Sequence, residues 1–348
     1  MIGRKIRFLL AAIIIFHSAL VLDARDWSKD PARVDIPFAP RVAAIGDVHG
    51  AFPEFTASLE AVGMAKAKIG EEFKLEWIGG DGVLVLTGDF TDRGKYTKQV
   101  YDAVMDLEIE AEKAGGRVIA LFGNHEALLL NGTTEKWAKT LKPPKQQCYQ
   151  NTLDSFINAG LDFHQAISPE GKYGSWIRRR PIFAVVNNFL FVHGGCASPS
   201  QTLSNIAADF RDDMEVGNLS KGIFMNEAGP LWNRKWWDNN SFVQESLQKM
   251  GVRGVIFGHT IGALGNPGSV VAKDKRLISI DIGMCPFFGN SKGGGLLITA
   301  QAGGQMTFVA KYPDRPQVEL FQVPTPVICP KPLLNPSNET LPRTGTMN

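Results

Sequence analysis

The sequence predicts an α/β protein in which two β-sheets form a sandwich with helices on the outside. Continuous apolar runs rich in Val, Ile and Leu recur along its 348 residues, and such runs are typical of strands buried on both faces. Between two of them, residues 96–114 carry helix formers with apolar spacing and end at Gly115-Gly116, which predicts a strand–helix–strand unit over residues 83–122. A chain of this length supports one large domain.

Three of these runs, residues 41–45, 83–87 and 118–122, stop at a glycine that polar side chains follow. Glycine lets the chain turn sharply and approach a bound ion or phosphate, and the ligands of α/β sheets lie beyond the carboxyl ends of the strands. Two more runs, at residues 189–192 and 254–257, repeat the pattern. The five segments that follow the runs are Gly46-Asp47-Val48-His49-Gly50, Gly88-Asp89-Phe90-Thr91-Asp92-Arg93-Gly94, Gly123-Asn124-His125-Glu126, His193-Gly194-Gly195 and Gly258-His259-Thr260.

The side chains at these strand ends are of the types that bind metal ions. One Asp or His after a strand is more often a cap or a satisfied polar group, but its repetition at five strand ends favours a dinuclear metal site. Carboxylate, imidazole and amide oxygen suit Mn, Fe and Zn, and none of the segments contains a ligating Cys pair. We therefore expect two metal ions, and the sequence leaves their identity open.

Together the segments resemble the sequence blocks of the metallophosphoesterase superfamily, and specifically those of the phosphoprotein phosphatase family. The resemblance covers residues 41–324. Within that family, the N-terminal residues and the segments 229–234 and 279–283 are most similar to the bacterial-type Shewanella-like protein phosphatases. The resemblance implies a calcineurin-like fold with a helical cap insertion, and hydrolysis of phosphomonoesters.

The resemblance also assigns the metal ligands. Asp47 and His49 would hold the first metal ion and Asp89 would bridge, while the second ion would be completed by Asn124, His193 and His259. Two adjacent cations polarise a phosphoryl group and lower the pKa of a shared water molecule. Hydroxide then attacks phosphorus in line, so no covalent enzyme intermediate is needed.

The remaining site residues would move a proton and bind phosphate. His125 would donate a proton to the leaving oxygen, with Asp92 orienting its ring. Arg93 offers a planar fork for phosphate oxygens, Arg234 would be its partner across the site, and Asn124 would also contact the substrate.

Three neighbouring residues, Arg178 to Arg180, compete with Arg234 for the role of second phosphate-binding arginine. Glu126 is expected outside the metal ligands, paired with a nearby cation or backbone donor. Asp281 is expected either to hydrogen-bond a ligating histidine or to cap a strand. The tryptophans at 232, 236 and 237 are more typical of core packing than of a substrate platform.

The first residues predict export. Arg4, Lys5 and Arg7 form a positive region before the apolar residues 8–22, and Leu22-Asp23-Ala24 offers a small-residue cleavage site. We expect a signal peptide over residues 1–24 and a secreted or lumenal protein, periplasmic in a bacterium. The apolar stretch of 15 residues is shorter than the roughly 20 that span a bilayer, which leaves an uncleaved signal anchor as the alternative.

After the signal, the sequence suggests an extended lead-in over residues 25–40, the catalytic domain over 41–324 and a polar tail over 325–348. Residues 127–180 are expected to form the helical cap, with a helical piece near 153–159, and to choose the substrate. Residues 198–250 add further helix. Four later segments are expected to form strands of a second sheet, namely residues 276–280, 295–299, 306–311 and 318–323.

Substrate and partners follow from these expectations. A net charge of +2 provides no basic stripe for nucleic acid. The resemblance to the Shewanella-like group favours phosphorylated protein as the substrate, on tyrosine or on serine and threonine, whereas hydrolysis of diadenosine tetraphosphate or another nucleotide is the alternative on the same fold.

A protein that kept the fold and lost activity would typically lack Asp89, Asn124 or His125, and all three are present. The oligomeric state stays open, as does the pairing of Cys148, Cys196, Cys285 and Cys329.

Overall fold

A computed structural model describes residues 25–195 and 199–326 of the chain. The predicted signal peptide, most of the predicted polar tail, Cys196 and Cys329 lie outside the described residues. In the described part, Cys148 and Cys285 are buried and free of disulfides. None of the helices described is both long and apolar enough to cross a membrane.

The strands, in chain order, are β1 (Arg33–Ile36), β2 (Arg41–Ile45), β3 (Ala65–Ala67), β4 (Leu75–Trp77), β5 (Val83–Leu86), β6 (Arg117–Ala120), β7 (Phe183–Val186), β8 (Phe189–Val192), β9 (Gly254–Phe257), β10 (Val271–Lys273), β11 (Leu277–Ser279), β12 (Gly295–Ala300), β13 (Gln305–Lys311) and β14 (Val318–Pro324). The helices are α1 (Phe52–Val62), α2 (Thr97–Lys113), α3 (Asn124–Leu130), α4 (Thr133–Thr140), α5 (Lys145–Ile157), α6 (Phe163–Ile167), α7 (Lys172–Arg178), α8 (Leu203–Glu215), α9 (Gly222–Met225) and α10 (Asn240–Met250).

Two six-stranded sheets make up the sandwich. The first has the order β14-β13-β12-β2-β5-β6, and the second has the order β1-β7-β8-β9-β11-β10. The strands β2, β5 and β6 run parallel to one another, as do β8, β9 and β11. The Phe189 ring of β8 lies 4.9 Å from the Phe308 ring of β13, so side chains of both sheets meet in one core. The predicted two-sheet α/β sandwich is confirmed.

The helix predicted over residues 96–114 is α2, and together with β5 and β6 it forms the predicted strand–helix–strand unit. Its apolar face, which includes Val100, Val104 and Leu107, is buried. Both strands of the unit are parallel, so their carboxyl ends lie at the same edge of the sheet. This edge carries the segments that begin at Gly88 and Gly123.

One expectation about the sheets is wrong. Of the four late segments, only the one within residues 276–280 joins the second sheet, as β11, whereas β12, β13 and β14 extend the first sheet. The chain returns to that sheet after β11, and β12 pairs antiparallel with β2 through Leu296 opposite Ala44. Apolar alternation identifies a strand but carries no information about which distant strand it pairs with.

Two further segments differ from the sequence expectations. Residues 25–40, expected as an extended lead-in, contain β1, which pairs parallel with β7 at one edge of the second sheet. In the cap, the helical piece expected near 153–159 begins earlier, because α5 spans Lys145–Ile157. The buried face of α5 includes Thr152 and Ser155 as well as apolar side chains, so its apolar periodicity is weak.

Candidate metal centre

Turns that follow five strands, β2, β5, β6, β8 and β9, meet at the carboxyl ends of the two sheets and hold one another through their backbones. The backbone N–H groups of Val48 and His49 both donate to Asp89 O, at 3.1 and 2.8 Å. On the side of the second sheet, the Gly258 N–H donates to His193 O at 2.9 Å. The ligand-bearing turns are therefore fixed before their side chains bind anything.

Two of the strand-end glycines allow carboxylates to lie directly against the backbone. A Cβ atom at Gly123 would lie 2.3 Å from Asp89 Oδ1, and one at Gly258 would lie 2.3 Å from Asp47 Oδ1. Real Cβ contacts essentially never become this short, so any other residue would displace a carboxylate. The glycines of the motifs are thus needed for the position of the acids.

The site also concentrates strained backbone. Five of its non-glycine residues have a positive φ: His49 (48°), Asp89 (55°), Asp92 (67°), Arg93 (70°) and His259 (66°). Such conformations cost on the order of 1–3 kcal/mol each and persist where the surrounding structure enforces them, typically at functional sites. Here hydrogen bonds between the turns hold His49, Asp89 and His259, whereas the N–H groups of Asp92 and Arg93 donate to Thr152 and Cys148 of α5.

The side chains form two overlapping groups of possible metal ligands. His49, Asp89 and His125 make one group, and Asp89, His193 and His259 make the other, with the ligand atoms of each group within 4.8 Å of one another. All five side chains are buried. Because both groups share Asp89, the arrangement suggests a dimetal site in which this carboxylate would be a ligand common to both ions.

The two other predicted ligands lie at the same place. Asp47 Oδ2 is 4.0 Å from His49 Nε2, and Asp47 Oδ1 is 4.0 Å from His193 Nδ1. The Asp47 carboxylate also accepts the His259 backbone N–H, at 2.9 and 3.1 Å for its two oxygens. Asn124 Oδ1 lies 2.7 Å from His193 Nε2. The structure thus brings together all six side chains that the sequence assigns to the metal ions.

The donor set fits metal ions. His259 Nε2 is buried without a hydrogen-bond partner in the described part of the chain, and such an atom costs free energy unless something binds it. Burial lowers the pKa of His259 to about 2, so its imidazole is neutral and keeps the lone pair that a metal ion needs. Two other ring nitrogens, His49 Nδ1 and His193 Nδ1, lie 2.8 Å from Thr91 O and Thr87 O, which turns each Nε2 towards the site.

The charges of the site favour a cation. Burial opposes the charge on Asp89, but the surrounding histidines outweigh burial and hold the pKa of this carboxyl well below its usual range. For His193, burial is again outweighed, because Asp89 and Asp47 raise the pKa of its imidazole to about 9. Asp89 is therefore a buried carboxylate that attracts positive charge at this point, whereas burial and the neighbouring Asp281 raise the pKa of Asp47 well above its usual range.

His125 differs from the other histidines in its partners. Its Nδ1 lies 2.6 Å from Asp92 Oδ2, and its Nε2 lies 3.0 Å from Arg93 Nη2. The Asp92 carboxylate is itself held by the hydroxyls of Thr134 (3.1 Å) and Thr152 (3.0 Å). Because a guanidinium only donates, Arg93 donates to His125 Nε2, and His125 Nδ1 donates to Asp92, which fixes the orientation of the ring. His125 also lies within one of the ligand groups, and its role as proton donor stays a prediction.

The two predicted phosphate-binding arginines stand on different sides of the ligands. Arg93 Nε donates to His49 Nε2 at 3.3 Å. Arg234 Nη1 donates to His259 O at 3.0 Å and to Thr260 Oγ1 at 2.7 Å. The competing arginines 178–180 are engaged elsewhere: they contact the helix carbonyls of α6 and α7, Asp30 and Glu108. The structure therefore favours Arg234 over them.

Glu126, which the sequence leaves outside the ligand set, binds backbone donors. Its carboxylate accepts the N–H groups of Asp89 (2.8 Å), Phe90 (2.9 Å) and Gly123 (3.0 Å). The side chain is completely buried, and it joins the turn after β5 to the turn after β6. Asp281, by contrast, accepts the N–H of Gly283 at 3.0 Å and so caps its own turn.

We expect Glu126→Ala to destabilise the fold by about 3–5 kcal/mol, because three buried N–H groups would lose their common acceptor. Urea unfolding in the presence of a chelator measures this loss without a contribution from metal binding. Glu112→Ala, at an exposed position on α2, is the matched control and should change stability by less than about 0.5 kcal/mol. A Glu126→Ala variant as stable as the control would contradict this role.

Sequence reasoning missed three aromatic residues at the mouth of the site. Phe287 and Phe288 follow β11 in a short 3₁₀ turn, and Tyr149 projects from α5 of the cap. The rings of Tyr149 and His125 are nearly parallel, with centroids 6.5 Å apart. The signal available in the sequence was the adjacent pair of phenylalanines between Pro286 and Gly289, outside any strand or helix pattern. Of the tryptophans, Trp236 and Trp237 are buried, whereas Trp232 is half-buried beside His259.

Comparison with known proteins gives a consistent result. The family model for calcineurin-like phosphoesterases matches residues 40–262. Shewanella-like protein phosphatase 1 of Plasmodium berghei is 28% identical over 300 residues, which cover 82% of this chain and 77% of that protein. Shewanella-like protein phosphatase 2 of Arabidopsis thaliana is 27% identical over 288 residues, covering 70% and 71%. The cold-active protein-tyrosine phosphatase of a psychrophilic Shewanella species shares the fold, with a TM-score of 0.65 and 22% identity over 84% of this chain and 82% of that one.

The fold and the two ligand groups that share Asp89 define a metallophosphoesterase. The chain belongs to the calcineurin-like phosphoesterase family, whose model matches well over half of its length. It is a metal-dependent phosphatase, and its similarity to the Shewanella-like protein phosphatases, expected from the sequence, is confirmed.

Proposed function

We propose that this phosphatase removes phosphate from phosphorylated protein, on tyrosine or on serine and threonine. The observation that carries the proposal is the juxtaposition of the dimetal ligand groups with the His125–Asp92 pair and with arginines on two sides. Two relatives that align over most of the chain are named protein phosphatases, which supports a phosphoprotein substrate. The oxygen and imidazole donors suit Mn, Fe or Zn as the bound ions.

In the proposed mechanism, Asp47, His49, Asp89, Asn124, His193 and His259 would hold two metal ions, which would supply polarisation of the phosphoryl group and a lowered pKa for a water molecule. Arg93 and Arg234 bind phosphate oxygens and the charge that develops on them in the transition state. His125 gives a proton to the leaving oxygen, while the contact of its Nδ1 with Asp92, 2.6 Å long, holds the ring in place. The hydroxyls of Thr134 and Thr152 keep Asp92 in position for this task.

The direct test is hydrolysis of phosphotyrosine, phosphoserine and phosphothreonine peptides beside diadenosine tetraphosphate, with Mn added or with a chelator. The protein should begin at Arg25, because its guanidinium donates to the backbone oxygens of Arg178 and Arg179 at 2.6 and 2.9 Å and ties the N-terminal segment to the domain. We expect release from the peptides that the chelator abolishes. Faster cleavage of the dinucleotide than of every peptide would contradict the proposal.

We expect Arg234→Ala to weaken the binding of inorganic phosphate, measured as its inhibition constant, by roughly thirtyfold, because a charged hydrogen bond contributes about 2 kcal/mol. The KM for substrate should rise with it, and the metal content should not change. Arg179→Ala is the control, since that side chain is 57% exposed and lies by Asp30. An equal effect of both substitutions would mean that Arg234 acts only through general charge.

We also propose that the enzyme acts in the secretory pathway or the periplasm. This proposal is supported by the basic residues Arg4, Lys5 and Arg7, the apolar residues 8–22 and the small residue Ala24. Expression of the full chain with a C-terminal tag, followed by N-terminal sequencing and fractionation, tests it. Recovery of uncleaved protein in the cytosol would overturn it.

A further inference from the structure

Two exposed aromatic side chains stand beside the catalytic centre. Phe287 is 47% exposed and Phe288 is 39% exposed, although phenylalanine is among the residues most often buried. They lie in the 3₁₀ turn Pro286–Phe288, after the chain has left β11. Their rings pack edge to face, with centroids 5.2 Å apart. We call these two residues the aromatic platform.

The aromatic platform lies next to the guanidinium group of Arg93, the predicted phosphate-binding arginine. The guanidinium carbon of Arg93 lies 4.9 Å from the centre of the Phe288 ring and 5.8 Å from that of Phe287. The Phe288 ring is also 5.8 Å from the imidazole of His49, one of the metal-ligand candidates. A group attached directly to a phosphate on Arg93 therefore lies within reach of these rings.

The cap provides an aromatic side chain at the other end of the same guanidinium. Nε of Arg93 donates to His49, whose ring lies 5.8 Å from that of Phe288, whereas Nη2 of Arg93 faces His125, whose ring lies nearly parallel to that of Tyr149. Tyr149 is braced by Trp137 of α4, with ring centroids 4.9 Å apart. The phosphate-binding arginine is thus flanked by aromatic rings from the cap and from the turn after β11.

Phosphotyrosine and phosphoserine would place different groups next to Arg93 and the aromatic rings around it. In phosphotyrosine only one ester oxygen separates phosphorus from a rigid aromatic ring, so the ring lies next to the arginine that holds the phosphate. Phosphoserine places a short alkyl group there, which offers the platform little apolar area. Aromatic pairs are stabilised by stacking in addition to apolar burial.

Building on the proposed protein phosphatase function, we propose that the aromatic platform stacks against the phenyl ring of phosphotyrosine and makes it the preferred residue over phosphoserine. Phe288, the nearer of the two to Arg93, makes the main contact. The platform is a specificity element: it positions the aryl group and takes no part in proton transfer.

The test compares Phe288→Ala and Phe288→Leu with the wild-type enzyme on two peptides that differ only in phosphotyrosine or phosphoserine. We expect the ratio of kcat/KM values, tyrosine over serine, to fall about tenfold in the alanine variant, mainly through KM for the phosphotyrosine peptide. Leucine should restore part of the loss by apolar contact, and Phe288→Trp should restore most of it. Ile69→Ala, at a residue that is 99% exposed, is the control for loss of a surface apolar side chain.

A second measurement uses inhibitors that are not hydrolysed, so that differences between leaving groups do not affect the result. Phenylphosphonate and methylphosphonate are stable inhibitors that share the phosphoryl oxygens and differ in the ring. We expect Phe288→Ala to raise the inhibition constant of phenylphosphonate about tenfold relative to that of methylphosphonate. An equal change for both inhibitors would mean that Phe288 only supports Arg93, and would overturn the platform.

The two proposals fail in different ways. If the wild-type enzyme cleaves small phosphate esters but no phosphopeptide, the protein phosphatase function fails, while the phosphonate comparison still decides the platform. If diadenosine tetraphosphate is preferred and its cleavage alone depends on Phe288, the platform binds a nucleobase and the phosphotyrosine assignment is overturned. Unchanged tyrosine-to-serine and phosphonate ratios in Phe288→Ala would overturn the platform and leave the function standing.

Discussion

Asp89→Asn should remove bound metal and nearly all activity, with a fall in kcat/KM of at least about 1000-fold. The structure places Asp89 in both ligand groups, with Oδ1 at 3.3 Å from His193 Nε2 and Oδ2 at 3.6 Å from His49 Nε2. Asparagine has almost the same shape but lacks the charge, and it replaces one acceptor oxygen by an N–H donor. Loss of a metal ion forfeits several kcal/mol of transition-state stabilisation, and each 1.36 kcal/mol corresponds to a factor of ten.

Metal content by mass spectrometry and kcat/KM for an aryl phosphate measure the two losses together. The matched control is Asp102→Asn, which removes a carboxylate held by Lys98 and Lys172 on α2 and α7, away from the ligands. The control should retain metal and activity. An Asp89→Asn enzyme with two bound ions and normal turnover would refute the assignment of Asp89 as the shared ligand.

His125→Asn should act differently, because we assign His125 to proton transfer. Metal content should stay at the wild-type level, while kcat for substrates with poor leaving groups should fall by about 100-fold or more, the usual contribution of a general acid. Alkyl phosphates and phosphoserine peptides need a proton on the leaving oxygen. Nitrophenyl phosphate, whose leaving group is stable as an anion, should lose much less activity.

A series of aryl phosphates of increasing leaving-group pKa tests this assignment, since the defect of His125→Asn should grow along the series. His164→Asn serves as control, because that side chain is 71% exposed and lies outside the ligand groups. Asp92→Asn should show the same dependence in weaker form if it acts by holding His125. A defect of equal size on every ester, or loss of metal, would show that His125 is itself a ligand.

The site illustrates which residues a sequence reveals. Asp47, His49, Asp89, Asn124, His193 and His259 are recognisable because each follows an apolar strand in a short segment of fixed composition. The contacts of Glu126 are not recognisable, because its backbone partners Asp89 and Phe90 lie 37 and 36 residues away. Every residue except proline has a backbone N–H group, so the sequence does not show which residues a carboxylate of this kind will bind.

The arginines show the same limit. Arg93 lies within a recognisable motif. Arg234 does not, and the sequence alone does not distinguish it from the three consecutive arginines at 178–180. Only the fold separates them, because the chain brings Arg234 to His259 O while the others bind helix carbonyls and acids far from the ligands. Likewise, only the structure shows that Phe287 and Phe288 lie close to Arg93 and are therefore candidates for contact with the substrate.

The sequence by itself predicted the class of this protein, through the resemblance of its short segments to a known family, and it located the strands that carry these segments and the candidate metal ligands, since these depend on local apolar runs and turn glycines. Tertiary structure alone decided that β12, β13 and β14 join the sheet of β2, that β1 completes the other sheet, and which arginine and aromatic residues face the centre. These outcomes depend on contacts between residues distant in the chain, and local pattern does not encode a partner.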